Sequence, residues 1–389
     1  MPGSDAPGLY VHVPFCSAIC PYCDFAVRRD DAGRRAAYVR SLQREVALWS
    51  GAEHGFGVFN TLYFGGGTPS LLEGRQLAAI LDAIRDGLAL APGVRVFLEA
   101  NPEDVDATSL RAWRELGVSF LSLGVQAFDD GALAFLGRRH SAEDARRAVA
   151  LALEAGFETV SLDLIYGLPD HQPSAWRRTL DQAAALGPQH LSCYQLTIEP
   201  ATPFGKARRR GELKPLADDA QGELFLLTRE HLARHGYAGY EVSNFARTPA
   251  HRSRHNRKYW QHVPYLGLGP SACSFDGRCR WWNERSLARW QHRLAAGERP
   301  LAGSETLSDA ELALETLMLS LRTSGGVDLA AFQKRFGIDL EARNAARIAR
   351  WHRDGLLEPV AGRLVLTHRG LAIADGLTSS LEITCPQPD

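Results

Sequence analysis

The sequence lacks any apolar run near the roughly 20 residues a bilayer-crossing helix needs; its longest apolar stretches break within a few residues. Met1 to Tyr10 has no basic segment leading into an apolar one, so no secretory signal is read and a cytoplasmic protein is expected. Peripheral contact with the inner face of a membrane stays open, as does a dimer. There is no excess of either charge: Lys+Arg 44 stand against Asp+Glu 45, a formal net charge of -1. That balance speaks against nucleic acid as a partner, because phosphate binding draws on a surplus of cationic side chains. Gly 36 and Pro 20 follow no fixed period, and 45% hydrophobic with 23% charged residues is the balance of a globular chain, which excludes collagen-like and disordered classes. Cysteine is sparse and odd in number: Cys16, Cys20, Cys23, Cys193, Cys273, Cys279 and Cys385. Three within eight residues and four scattered do not form a secreted disulfide framework.

What is present is a strand-then-helix rhythm over the first 195 residues. Apolar runs of strand length occur at Gly8–Val13, Val58–Phe64, Val94–Glu99, Phe120–Val125, Thr159–Ile165 and His190–Tyr194. Between them, sets such as Leu77, Ile80, Leu81 and Ile84 recur at helical spacing. Ser141 before Glu143 and Asp144 predicts a helix start, and Pro173 with Gly187 predicts the two ends of another. Six such units predict an α/β fold with a mostly parallel sheet, whose ligands gather at the C-terminal ends of the strands. A partial barrel and a doubly wound sheet fit this rhythm equally. Beyond Tyr194 the expectation is a loop at Lys206–Gly211, a helix over Ala220–His235, a strand over Tyr237–Ser243 and a glycine-rich stretch over Tyr265–Ala272. From Leu307 onward, three helical patterns and a short hairpin turning at Gly362 predict a small winged-helix-like domain. The chain is read as segments 1–195, 196–300 (an extension and linker) and 301–389.

The densest chemistry is Cys16-Ser-Ala-Ile-Cys20-Pro-Tyr-Cys23, directly after the first strand. Soft thiolates on one tight loop bind iron–sulfur clusters or zinc. Structural zinc normally takes four ligands, and no fourth sits nearby at a finger-like spacing. Three ligands suit a [4Fe–4S] cluster with one iron left open. The bland alternative is three buried cysteines that happen to be close. Tyr63-Phe64-Gly65-Gly66-Gly67-Thr68-Pro69 ends the second strand, and its glycines permit a sharp turn and a close backbone approach. It is not a dinucleotide fingerprint, which needs a different glycine spacing. Glu99 ends the third strand, Ser122-x-Gly124-x-Gln126 lies in the fourth, Arg138 follows it, and Asp163 closes the fifth. Singly, each reads as well as an ordinary loop residue; together they place polar groups at several strand ends of one sheet.

The stretch Tyr10-Val-His12-Val-Pro14-Phe-Cys16, with Cys20 and Cys23, resembles the radical S-adenosylmethionine (SAM) superfamily, and within it the group of oxygen-independent coproporphyrinogen oxidase and its relatives. The resemblance implies a partial (β/α)6, TIM-like barrel with a [4Fe–4S] cluster on Cys16, Cys20 and Cys23. It implies SAM held by Tyr10, Gly65, Gly66, Gly67, Thr68, Glu99, Gln126, Arg138 and Asp163, with Arg138 facing the methionine carboxylate. It further implies one-electron cleavage of SAM, fed by a donor such as flavodoxin or ferredoxin.

Two departures select a branch. The true oxidase carries a fourth cysteine where this chain has Phe25, and a longer segment before the first strand than the nine residues preceding Tyr10. Decarboxylation of coproporphyrinogen III is therefore not expected. The run His255-Asn256-Arg257-Lys258-Tyr259-Trp260 resembles the motif of the heme chaperone branch, which binds heme and passes it to respiratory heme proteins. In that reading His255 ligates the iron, while Tyr259 and Trp260 stack on the porphyrin. Read from the residues alone, the run fits a basic surface loop with a packed Tyr-Trp pair equally well. The rival readings are a radical SAM enzyme that methylates or cyclopropanates a small molecule and one that degrades heme.

Overall fold

The computed structural model describes residues 6–50 and 55–383 of the chain; Cys385 lies outside them. The six strands read from the sequence are all present, the first with the same bounds and the others a little longer than their apolar runs: β1 (Gly8–Val13), β2 (Phe59–Gly66), β3 (Leu90–Ala100), β4 (Val118–Gln126), β5 (Thr159–Tyr166) and β6 (His190–Gln195). They lie side by side in chain order, every pair parallel. The helices between them bury the stripes expected: Leu77, Ile80, Leu81 and Ile84 on Gly74–Gly87, for example. Ser141 and Asp144 form a reciprocal cap at the start of Ala142–Glu154, and Gly187 ends Pro173–Leu186 at φ +80°.

The sheet does not stop at six strands. After β6 come β7 (Ala238–Gly239), β8 (Asn244–Ala246), β9 (Tyr265–Leu268), β10 (Cys273–Phe275), β11 (Cys279–Asn283) and β12 (Leu301–Thr306). The spatial order is β12-β11-β10-β9-β1-β2-β3-β4-β5-β6-β8-β7, an open sheet of 12 strands. The strand β9 pairs with β1 in parallel, so the parallel strip has a seventh member that the glycine-rich sequence hid. The outer strands are antiparallel. Three other local expectations change. Lys206–Gly211 is mostly the end of a helix, Pro203–Arg209, capped by Thr202 with Pro203 at its first position. Tyr237–Ser243 holds only the two-residue β7. The third helical pattern of the C-terminal region breaks at Asn344, into Leu340–Arg343 and Ala345–Arg353, and the Asn344 side chain donates to the carbonyls of Leu340 and Glu382.

Strand alternation sorts the side chains into two sets. Leu9, Val11, Leu62, Phe64, Leu98, Leu121, Leu162 and Leu191 pack outward in one core with the helices. The opposite face lines the barrel interior in two rows. Tyr10, Tyr63, Phe97 and Phe120 stand at paired register positions and form an aromatic floor. Two residues further along these strands stand His12, Gly65, Glu99 and Ser122, a polar row that Asp163, in register with Ser192, joins by accepting from Ser122 Oγ. A buried carboxylate, Glu45 on the helix Ala32–Trp49, fastens the later strands to the barrel. It accepts from the Gly269 N–H (2.7 Å), Asn283 Nδ2 (2.6 Å) and Trp290 Nε1 (3.2 Å). The C-terminal region has its own core, centred on Leu317, Leu321, Phe332, Ile348, Trp351, Leu364 and Leu366. Its short wing pairs Val327-Asp328 with Arg363-Leu364, and Gly362 turns at φ +71°.

Candidate metal centre

The loop after β1 is held by backbone bonds at both ends: Cys23 N–H to the Cys20 carbonyl (3.1 Å) and Asp30 N–H to the Cys16 carbonyl (2.9 Å). All three thiols are half-buried. Burial pushes the Cys16 thiol up to about 11 and raises Cys23 as well. Such thiols give up their protons readily only to a cationic centre. Two donors point at sulfur: Thr68 Oγ1 to Cys16 Sγ and Arg138 Nη1 to Cys20 Sγ, each at 3.6 Å. Elsewhere among the described residues, ligand atoms of Asp181, His231 and His235 lie within 4.8 Å of one another.

The glycine run is a strap laid across this loop. Gly67 N–H donates to the Val13 carbonyl and Thr68 N–H to the Phe15 carbonyl, both at 2.7 Å. A side chain on Gly67 would press on those two carbonyls and come within 3.0 Å of Cys16 Sγ; one on Gly66, at φ +110°, would strike the His12 ring at 2.5 Å. Glu99 accepts from the Tyr63 hydroxyl (2.6 Å) and the Gly66 N–H (3.2 Å), and burial pushes its carboxyl up to about 7. Asp163 accepts from Ser122 Oγ (3.1 Å) and is pushed by burial to about 6. Gln126 ends β4 at φ +65°, beside an irregularity in the β4–β5 register. Strain of that kind, about 1–3 kcal/mol, is held where the surroundings over-determine the backbone. Arg138 donates to Asn101 Oδ1 and to the Gly124 carbonyl, while its Nε is buried without a partner. Tyr10 donates to His12 Nδ1 (3.1 Å), since His12 Nε2 faces the Ala26 carbonyl (3.0 Å) and must carry the ring proton.

The structure thus brings Tyr10, Gly65, Gly66, Gly67, Thr68, Glu99, Gln126, Arg138 and Asp163 to one strand-end region around the three thiols. A cavity of about 360 Å³ opens beside them, lined by Tyr10, Glu99, Phe25, Tyr259, Tyr265 and Arg285 among others. Phe25, 67% exposed, stands at this cavity. The sequence reading assigns no role to Tyr63, which holds Glu99, or to Asn101, which holds Arg138; Tyr63 opens the glycine run and Asn101 lies two residues past Glu99, and that position was the available signal.

The motif His255–Trp260 is split. It forms the helix Arg254–Trp260, capped by Ser253. His255 is buried against the aromatic floor, with ring centroids 5.0 Å from Tyr63 and 6.5 Å from Tyr10. Its Nδ1 is bonded to Thr61 Oγ1 and its Nε2 to the Tyr259 hydroxyl, both at 2.9 Å. Burial lowers its basicity to about 3, so the ring is neutral. In this conformation both ring nitrogens of His255, the expected iron ligand, are thus bonded within the protein. Tyr259 reaches the cavity beside Glu99, and Trp260 lines a different one, toward the C-terminal domain.

Comparison with known proteins agrees with this arrangement. The model of the Radical SAM superfamily matches residues 10–183, and that of the HemN C-terminal domain matches residues 307–373. The solved coproporphyrinogen III oxidase (HemN) of Escherichia coli superposes with a TM-score of 0.81 over 97% of this chain and 90% of its own, at 23% identity. Fold and site together define a radical SAM protein, a class that carries a [4Fe–4S] cluster and SAM. The residues present fit both: three thiols on one loop, a glycine strap that leaves no room for a Cβ, and an arginine Nε without a partner. Among named relatives, "Heme chaperone HemW" of Mycobacterium tuberculosis is 38% identical over 98% of this chain and 96% of its own length. The protein of the same name in Bacillus subtilis is 32% identical over 93% and 95%. The chain belongs to the heme chaperone HemW family.

Proposed function

We propose that this protein carries heme and hands it to heme-requiring proteins, respiratory ones among them, on a scaffold that also binds a [4Fe–4S] cluster and SAM. The observation that carries the reading is the end-to-end likeness to the chaperones, over both the barrel and the C-terminal domain. Phe25, which stands in place of a fourth thiol, supports the absence of coproporphyrinogen oxidation. A cluster with one open iron supplies one-electron reduction of SAM when both are bound. The chain's own part is to hold and to shield. Cys16, Cys20 and Cys23 offer the thiolates, and the Gly65–Thr68 strap fixes the loop that bears them. Arg138 offers its unpartnered Nε to a carboxylate, and Glu99 and Asp163 offer acceptors to cationic groups. An external one-electron donor of the flavodoxin or ferredoxin kind completes the system. Among the described residues no helix is long and apolar enough to cross a membrane.

Anaerobic reconstitution followed by separate titrations with SAM and heme tests the proposal. The expected result is one cluster per chain, reductive SAM cleavage, a heme complex that yields its heme to an apo-acceptor, and no protoporphyrinogen IX from coproporphyrinogen III. Catalytic appearance of that product, or a reconstituted protein that takes up no heme, would overturn it.

A further inference from the structure

The outer layer of helices holds a cluster that the strand-end site does not use. On the helix Asp218–Arg234, His231 lies four residues before His235, which caps the helix end, so the two imidazoles share one face. The neighbouring helix Pro173–Leu186 brings Asp181 up to that face. One carboxylate oxygen, Oδ1, lies 2.6 Å from His231 Nε2 and 3.2 Å from His235 Nε2, and the two ring centroids stand 4.9 Å apart. The helices are fastened on either side of the cluster. Trp176 Nε1 donates to the buried Thr228 Oγ1, and the Tyr237 hydroxyl donates to the Pro188 carbonyl, each at 2.7 Å. His231 is buried and its Nδ1 has no partner, so Nε2 alone places the ring. Asp181 and His235 reach the surface, with side chains 50% and 39% exposed.

We propose that Asp181, His231 and His235 form a site for one divalent transition-metal ion, zinc the best fitted, separate from the iron–sulfur loop. Zinc sits about 2.0–2.2 Å from imidazole nitrogen and carboxylate oxygen, which sets neighbouring ligand atoms about 3.0–3.4 Å apart. The two nitrogen–oxygen separations lie close to that range, and small rotations of the two surface side chains adjust the rest. Imidazole with carboxylate suits zinc and its neighbours in the first transition row, whereas calcium and magnesium call for oxygen ligands. The end of the helix Asp218–Arg234 adds to the fit, because a cation is favoured at a helix C-terminus. The positions not filled by protein face solvent and take water. An ion held here ties the barrel helix Pro173–Leu186 to a helix whose Phe225 packs on both the barrel core and the C-terminal core. It therefore stiffens the joint between the two. The inference is independent of heme carriage and survives its failure.

The test uses the full-length protein with its cluster reconstituted without oxygen, so that Cys16, Cys20 and Cys23 are occupied, and zinc alone as the probe. Calorimetric titration should show one zinc ion bound per chain beyond the cluster, not displaced by excess magnesium or calcium, with a higher thermal midpoint when zinc is present. His235→Ala and Asp181→Asn, both at surface side chains, should each weaken zinc binding about tenfold or more, since even the loss of a group that only supports a ligand costs 10–100-fold. Their iron content should match the parent's. A parent that binds no zinc beyond its cluster shows a purely hydrogen-bonded trio and overturns the proposal, and that measurement needs no variant to fold. Zinc bound as tightly by His235→Ala as by the parent belongs to other groups, such as Cys273 or Cys279, and overturns it as well. Displacement by magnesium would mark an oxygen site and do the same.

Discussion

A histidine with both ring nitrogens bonded inside a protein is a fastening. His255 joins the motif helix to β2 through Thr61 and to its own last turn through Tyr259. Replacing it with alanine leaves a hole against the aromatic floor and strips Thr61 of a buried partner. The expected cost is about 2–4 kcal/mol, read as a lower midpoint in denaturant; a variant as stable as the parent would show that the ring is not structural. The adjacent glycines give a sharper contrast. Gly67→Ala should lower the iron content of the reconstituted protein, because its Cβ meets Cys16 Sγ and two carbonyls of the loop. Gly66→Ala displaces the His12 ring instead, and should weaken SAM binding while iron stays near the parent level. If the two variants show the same iron content, the strap does not hold the loop in the way described. Thiol by thiol, Cys16→Ala, Cys20→Ala or Cys23→Ala should each abolish the cluster, whereas Cys193→Ala, Cys273→Ala and Cys279→Ala should keep it; iron and sulfide analysis decides.

Among the elements, β1 to β6 and their helices were legible because one face of each strand is mostly apolar and several helices carry recognisable ends, such as Ser141 with Asp144 and Pro173 with Gly187. The strand β9 was not. Tyr265-Leu-Gly267-Leu reads only as part of a glycine-rich stretch, yet Gly267 is there because a Cβ would fall 2.2 Å from the Cys273 carbonyl of the next strand. Only the partner strand reveals that requirement. The thiol loop and the glycine run were legible as chemistry, since their spacing is local; the splitting of the His255 motif between two cavities depends on which way a helix of seven residues is turned. Glu45 was invisible for the same reason, its three donors lying on segments more than 200 residues away. Burial raises this carboxyl to about 7, against which its hydrogen bonds pull. A carboxyl whose folded-state value stands above its unfolded one adds stability below the unfolded value and loses it as pH rises through the folded one. Between about pH 4.5 and 7 the parent should therefore lose stability relative to Glu45→Gln, by at most about 1.4 kcal/mol per pH unit. Thermal midpoints of the two proteins across that range check it, and a gap that does not change with pH would show that the Glu45 carboxyl is not raised in the folded state.

At the scale of the whole molecule, the sheet puts first what the chain completes late. Strand β1, which bears the thiol loop, is flanked on one side by β2 and on the other by β9, with Gly8 paired to Tyr265. During synthesis the first strand therefore waits. It can lie beside β2 early, but its second edge stays open until residue 268 has emerged, and the Glu45 fastening waits further, for Asn283 and Trp290. Non-local pairings of this kind form slowly, after local ones. The consequence is an order of events: the Gly67–Thr68 strap can meet the thiol loop early, while β9 and the Glu45 fastening close the other edge of β1 last. A chain stopped before β9 would display the three cysteines on a first strand paired along one edge only.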